Sequence, residues 1–307
     1  MDLERYFDKI YEEYDRYLAV PVALLVLSLG ILGVQYVQTG KFFQKGPDFS
    51  GGTEVKYSLQ QEFTTTEIEN VFARQGRPGV TALKQTSGGD TTLLVQIPPP
   101  NINSTAEAEQ FLEEAGYNVT VKGFNSISAS VSQAFFFQAQ MAFVLAFTVM
   151  SLVIFVAFKD IIPSLAVIFA ATGDLVFAGA MMALFDIPLT LGSMAALLML
   201  IGYSVDTDIV LSSRVLKQDR GTLKERIWSS VKTGVTMSSG GIAGFTLLYL
   251  VSYAIVGPSE LSTISAVMVI GLLADIPFTW FGNAVILKKH VHGEIPVEKV
   301  LEVVPWT

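Results

Sequence analysis

The residues in this sequence that can do chemistry are carboxylates set in otherwise apolar stretches. Asp174 is the lone charge in 161–185. Asp206 and Asp208 lie near the end of 187–211, and Asp275 is alone in 261–287, two residues before Pro277. A carboxylate in hydrocarbon costs about 2.5–3.5 kcal/mol, so each needs a partner, a water-filled cavity or a proton. Carboxylates so placed can load and unload protons or cations between two faces of a membrane. The structural alternative is a carboxylate that bonds backbone groups or sits in wet headgroups, and Asp275, beside a helix-kinking proline, fits that alternative best. Asp174 lies about 11 residues past Pro163, roughly 16 Å along a helix and near mid-membrane. Asp206 and Asp208 stand about 200° apart around a helix, so a regular helix cannot turn both to one partner. Lys232 begins the next apolar stretch. It can snorkel to the interface as an anchor or pair with an Asp of the preceding stretch.

Other chemistries are excluded by composition. The 307 residues contain no cysteine, so disulfides, thiol nucleophiles and Cys-ligated zinc are absent. Both histidines, His290 and His292, lie near the C-terminus, which leaves no Ser-His-Asp triad or H-E-x-x-H site within a membrane. The formal charge is −8, a poor basis for binding nucleic acid. No cofactor motif is found, and nothing marks the chain as an enzyme.

The elements that must position these acids are membrane spans. Only 16% of residues are charged and 51% are apolar. Six stretches have the length and apolarity to cross a bilayer: 18–37, 138–158, 161–185, 187–211, 235–256 and 261–287. Basic residues cluster in the 212–232 loop (Arg214, Lys217, Arg220, Lys224, Arg226, Lys232), at Lys159 and at Lys288-Lys289. The short links at Asp186 and at 257–260 have none. By the positive-inside rule, the 1–17 and 288–307 tails are cytoplasmic and 41–137 is external. Within the fifth span, Gly240 and Gly244 have GxxxG spacing, which suits close helix packing.

The 41–125 segment reads as a small α+β domain. Residues 53–59 alternate, 64–75 place Ile68, Val71 and Phe72 at helical spacing, and 80–84 is a short strand. A turn at 87–90 leads into a strand over 91–97, stopped by Pro98-Pro99-Pro100. Ser104 and Glu107 form a capping-box pattern, and 117–121 is a last strand. The order βαββαβ is ferredoxin-like. The fold class expected is therefore an α-helical membrane protein with six transmembrane helices plus a small external ferredoxin-like α+β domain. Asn103-Ser104-Thr105 and Asn118-Val119-Thr120 are glycosylation tripeptides on the face placed outside.

Three motifs resemble the SecF family of the SecDF protein-export complex, in its archaeal form and within the RND superfamily. Asp48-Phe49-Ser50-Gly51-Gly52 resembles the D-F-[ST]-G-G signature after the first span. Gly202-Tyr203-Ser204 with Asp206, Asp208 and downstream Arg214 resembles the fourth-span G-Y-S motif. Lys232-Thr233 with Thr236 resembles the fifth-span R-T-x-x-T motif. The chain departs from the bacterial pattern G-Y-S-I-N-D-T, whose acid falls on Thr207, and has Lys232 in place of the arginine. The resemblance implies pairing with SecD and work beside the SecYE translocon. It also implies action on exported unfolded polypeptide at the outer face of the cytoplasmic membrane, driven by the ion gradient. Asp206 or Asp208 with Lys232, and Asp174, are the relay candidates. The resemblance makes Gly51-Gly52 a hinge or tight turn, because glycine admits positive φ, whereas the residues alone read as an ordinary loop-to-strand junction. The alternative is an RND-type proton-driven exporter of lipids or small molecules. An intramembrane aspartyl protease is disfavoured: Ala171-Thr172-Gly173-Asp174 lacks the first glycine of G-x-G-D. A purely structural scaffold remains a further reading.

Overall fold

A computed structural model describes residues 7, 10–59, 61–87, 90–257 and 259–295. Arg5 and Lys9 of the N-terminal tail, Gly88-Gly89 of the expected turn and the 296–307 end of the C-terminal tail lie outside the described residues.

The α+β domain is built on alternation. Strands β1 (Gly52–Leu59), β2 (Thr81–Ser87), β3 (Asp90–Ile97) and β4 (Val119–Ile127) form one sheet in the order β2-β3-β1-β4, with every neighbouring pair antiparallel. Val55 and Tyr57 face Val95 and Leu93 across the central pair. All four side chains are buried with Ile68 and Phe72 of α3 (Thr65–Arg74) and Leu112 of α4 (Thr105–Glu113). Each large apolar side chain buried this way contributes about 1.5–3 kcal/mol. Thr64 and Glu67 cap α3 reciprocally, so the 64–75 pattern is a helix with a fixed start. Ser104 caps α4, but Glu107 returns to the Asn103 N–H (3.0 Å) instead of closing a box on Ser104. The strand order with two helices on one face is the ferredoxin-like arrangement.

Among the described residues, six helices are long and apolar enough to cross a membrane. The first is α1 (Ala19–Thr39), which extends the 3-10 turn Tyr14–Leu18, and α2 (Pro47–Ser50) is a single turn after it. The next four are α5 (Ala129–Phe158), α6 (Ile161–Leu184), α7 (Leu191–Lys217) and α8 (Leu223–Val256). The sixth span is α9 (Glu260–Pro277), a π-helical stretch Phe278–Asn283 and α10 (Ala284–Val291) in continuous succession. Side-chain caps fix the starts: Asp160 for α6, Thr190 with Ser193 for α7, Thr222 with Glu225 for α8, and Ser259 with Ser262 for α9. Each such cap is worth about 1 kcal/mol.

Helices α6, α7 and α9 make the centre of the bundle, and α1, α5 and α8 lie outside them. Small residues permit this packing. A Cβ at Gly173 would lie 2.2 Å from the Phe278 ring, and one at Gly271 would lie 2.3 Å from Leu200. At Gly234 a Cβ would meet Trp280 at 2.2 Å, and at Gly241 the Tyr203 hydroxyl at 2.4 Å. The expected GxxxG contact is not made within the chain. Both Gly240 and Gly244 are exposed, with nothing within 4 Å of an added Cβ. The helical phase explains this: the α8 face packed on the bundle is the one bearing Gly234, Ser238 and Gly241.

Candidate functional site

Three carboxyl side chains come together where α6, α7 and α9 meet. Asp174 (α6), Asp208 (α7) and Asp275 (α9) are each 0% exposed. Asp275 accepts from three hydroxyls on three elements. These are Thr207 of α7 at 3.0 Å, Ser238 of α8 at 2.9 Å and Thr279 of the π-helical stretch at 3.1 Å. Ser204 of α7 donates to Asp174. Asn283 donates its Nδ2 to Asp208 at 2.8 Å. The Thr207 hydroxyl also lies 2.7 Å from the Ser204 carbonyl oxygen, so one proton faces two acceptors. A polar line thus runs from Asp174 through Ser204 and Thr207 to Asp275, with Asp208 one residue beyond Thr207.

The local sequence explains the convergence. Ser204 and Asp208 are four apart on α7 and share its inner face. Pro277 has no N–H to donate into the helix, and the stretch after it winds with a π repeat, a form enriched at functional sites. That wider turn is the element that carries Thr279 and Asn283 to the cluster. Asp275 was expected to bond backbone groups near Pro277. Instead its oxygens accept from the hydroxyls of Thr207, Ser238 and Thr279.

Among the described residues, no lysine, arginine or histidine forms an ion pair with Asp174, Asp208 or Asp275. Four buried atoms around them have no hydrogen-bond partner: Asp174 Oδ1, Asp208 Oδ2, Ser212 Oγ and Asn283 Oδ1. Among the described residues, no group of three or more His, Cys, Asp and Glu is disposed to hold a metal ion. The buried carboxyl oxygens can hold protons or a monovalent cation, with the hydroxyls of Ser204, Thr207, Ser238 and Thr279 orienting them.

The other expected site residues fall elsewhere. Asp206 is exposed, on the opposite side of α7 from Asp208, on a face shared with exposed Gly202. Lys232 is exposed, with its ammonium 5.6 Å from the centre of the Trp228 ring. Among the described residues, no carboxylate forms an ion pair with Lys232. Arg214 donates to the Ser229 carbonyl (2.7 Å) and the Thr233 hydroxyl (2.9 Å), tying α7 to α8. Tyr203 donates to the Met237 carbonyl at 3.1 Å and ties the same pair. Thr207, where the bacterial pattern has its acid, is buried against Asp275. Asp275, Ser238, Thr279 and Asn283 were not among the site residues read from sequence. A lone Asn in the apolar run W-F-G-N-A was the one visible sign of the last.

The Asp48–Gly52 motif joins the α+β domain to the bundle. Asp48 accepts the Leu191 N–H at 3.0 Å, at the start of α7, where a carboxylate also favours the helix dipole. Phe49 is buried against Phe136 of α5, and Ser132 of α5 donates to the Pro47 carbonyl at 3.1 Å. Gly51 (φ +72°) and Gly52 (φ +119°) both occupy positive φ. A Cβ on Gly52 would lie 2.3 Å from the Ile97 carbonyl oxygen, and one on Gly51 would lie 2.9 Å from Ala129. Both glycines are required by conformation and by space.

Comparison with known proteins agrees with these motifs. Residues 107–292 match the family model described as protein export membrane protein SecD/SecF, C-terminal. A protein-export membrane protein SecF of Methanothermobacter thermautotrophicus is 36% identical over 92% of this chain and 94% of its own length. One of Haloferax volcanii is 34% identical over 90% of this chain and 94% of its own length. In fold, the crystal structure of SecDF from Thermus thermophilus, a translocon-associated membrane protein, superposes with a TM-score of 0.74 at 20% identity. It covers 92% of this chain, which spans only 38% of that longer one. The chain belongs to the SecF family of protein-export membrane proteins.

Proposed function

We propose that this chain is an accessory subunit of Sec protein export. It pairs with a SecD-type subunit and uses an ion gradient to assist polypeptide translocation across the cytoplasmic membrane. The observation that carries the energetic part is the cluster of three fully buried carboxyls served by hydroxyl and amide groups and by no base. Three buried negative charges without a cation would be far too costly to maintain, so the cluster works with protons or a cation aboard. Loading and release change its charge, and α6, α7 and α9 repack in response. The Asp48 contact to α7 carries that movement to the α+β domain, which acts on the exported chain at the outer face. The termini are cytoplasmic, in line with the basic loops.

The partner lies on the open faces of α7 and α8. Asp206 and Gly202 on α7, and Lys232, Thr236, Gly240 and Gly244 on α8, are exposed along helices otherwise fit for a membrane. Polar and small residues suit a protein neighbour better than lipid. The SecYE translocon and unfolded polypeptide are the further partners. The test is a gentle-detergent purification of the tagged chain from its native membrane. Recovery of a second, larger six-span subunit is expected. Recovery of the chain alone, together with gradient-driven efflux of small amphiphiles, would favour the exporter reading instead.

A further inference from the structure

Helices α1 and α5 both pack on α6, and a groove of about 930 Å³ separates them on the side of the α+β domain. Its floor is apolar, with Phe143, Phe147, Leu175 and Val176 among the lining residues. Gly179 keeps the floor low at the point where Phe43 crosses it, since a Cβ there would come within 3.2 Å of the Phe43 ring. The groove opens between surfaces made for hydrocarbon. Val37 on the α1 side is 84% exposed and Phe137 on the α5 side is 64% exposed.

The two ends of the groove differ. The end near the α+β domain carries Lys41 and Lys45, and the lining includes no Asp or Glu. Among the described residues neither lysine forms an ion pair. The Lys45 ammonium sits 3.5 Å from the centre of the Phe136 ring, which holds it at the mouth. Gln133 and Gln140 on α5 add hydrogen-bonding groups to the lining. A long apolar slot between membrane-spanning helices, with two lysines at one end and no acid in its lining, matches one amphiphile class: an anionic membrane lipid. Its chains would fill the slot and its phosphate would meet the lysines.

We infer that the α1–α5 groove is a binding site for an anionic membrane lipid, with Lys41 and Lys45 as its headgroup contacts. The site lies apart from the carboxyl cluster and from the open faces of α7 and α8, so it does not depend on the export reading. A bound lipid would brace the 41–50 connection, which carries Asp48 and Phe49 and anchors the α+β domain.

The test uses the full chain with its three native tryptophans, Trp228, Trp280 and Trp306, replaced by phenylalanine and with Phe143→Trp as the single fluorescent reporter within the groove. The protein is reconstituted in vesicles of phosphatidylcholine or phosphatidylglycerol whose chains are brominated to quench the indole. Phosphatidylglycerol is expected to quench F143W more strongly, with a relative affinity up to about 30-fold greater, as two lysines near a headgroup allow. Lys41→Gln with Lys45→Gln should bring the ratio to unity. Val37→Trp, on the lipid-facing surface, should show no headgroup preference. Equal quenching of F143W by the two lipids, or its protection from both by a segment of polypeptide, overturns the inference. If F143W folds poorly, native mass spectrometry of the wild-type chain and the K41Q/K45Q variant decides. Retained phosphatidylglycerol in the wild type and its loss in the variant support the site, and equal retention contradicts it.

Discussion

Replacing Gly52 by alanine tests how the signature motif couples the α+β domain to the bundle. Gly52 sits at φ +119°, and an added Cβ would stand 2.3 Å from the Ile97 carbonyl oxygen of β3. Holding an L-residue in such a conformation costs about 1–3 kcal/mol. The clash must also part the end of β1 from β3, losing about 1 kcal/mol for each backbone hydrogen bond broken. Together these give a destabilisation of about 2–4 kcal/mol. For a domain of this size each kcal/mol lowers the melting midpoint by about 4–8 °C. The α+β domain of G52A should therefore melt roughly 8–32 °C below wild type. The assay is temperature-stepped proteolysis of the detergent-solubilised full chain, following cleavage within 52–127. Gly240→Ala is the control, because nothing lies within 4 Å of its added Cβ. If G52A melts with the wild type, the strained close approach at this junction is not real and the argument fails.

Glu54 on β1 is largely buried, and that desolvation pushes its carboxyl above the ordinary range despite the Gln96 hydrogen bond. A carboxyl raised on folding binds more protons folded than unfolded, so stability falls as pH rises from its unfolded value through the raised one. Glu54→Gln should then stabilise the domain at pH 7 and leave it unchanged at pH 4, by thermal melts at both; equal gains at the two would contradict this. Ser238→Ala removes a 2.9 Å donor to Asp275 and should destabilise the bundle by about 1–3 kcal/mol if that carboxyl is ionised, and by less if it carries a proton. Denaturant titration in mixed micelles at pH 5 and pH 8 separates the two cases. Asp206→Leu with Gly240→Leu should lower recovery of the SecD-type partner in co-purification without altering the melting of the chain itself; undiminished recovery would move the interface elsewhere.

The α+β domain was legible because every signal there is local. Alternation set the strands, helical spacing set α3, and the order βαββαβ followed. Spans were legible for the same reason. The site was legible only in part. The spacing of Asp206 and Asp208 said that they part company, and the structure buries Asp208 and exposes Asp206. Which of the two turns inward depends on helix rotation, and that is set by contacts distant in sequence, such as Asn283 with Asp208 across 75 positions. The place of Asp275 was hidden by its proline. A kink argues for backbone repair, whereas the π-helical stretch that follows swings Thr279 and Asn283 toward the acids. The glycine stripe misled in a similar way: GxxxG spacing marks close packing but not the identity of the neighbour, and Gly240 and Gly244 face away from this chain's own bundle.

Gradient-driven ion movement tests the central claim most directly. The chain is reconstituted with its SecD-type partner, a proton or sodium gradient is imposed, and flux is recorded with internal pH and sodium dyes. Asp208→Asn and Asp275→Asn, which keep shape while removing the titratable group, should each cut the flux at least about tenfold, as expected of essential relay groups. Asp206→Asn should retain more than half of it if that residue serves only the partner face. Undiminished flux in the triple variant Asp174→Asn, Asp208→Asn, Asp275→Asn would contradict the account and remove the buried carboxyls from the coupling mechanism.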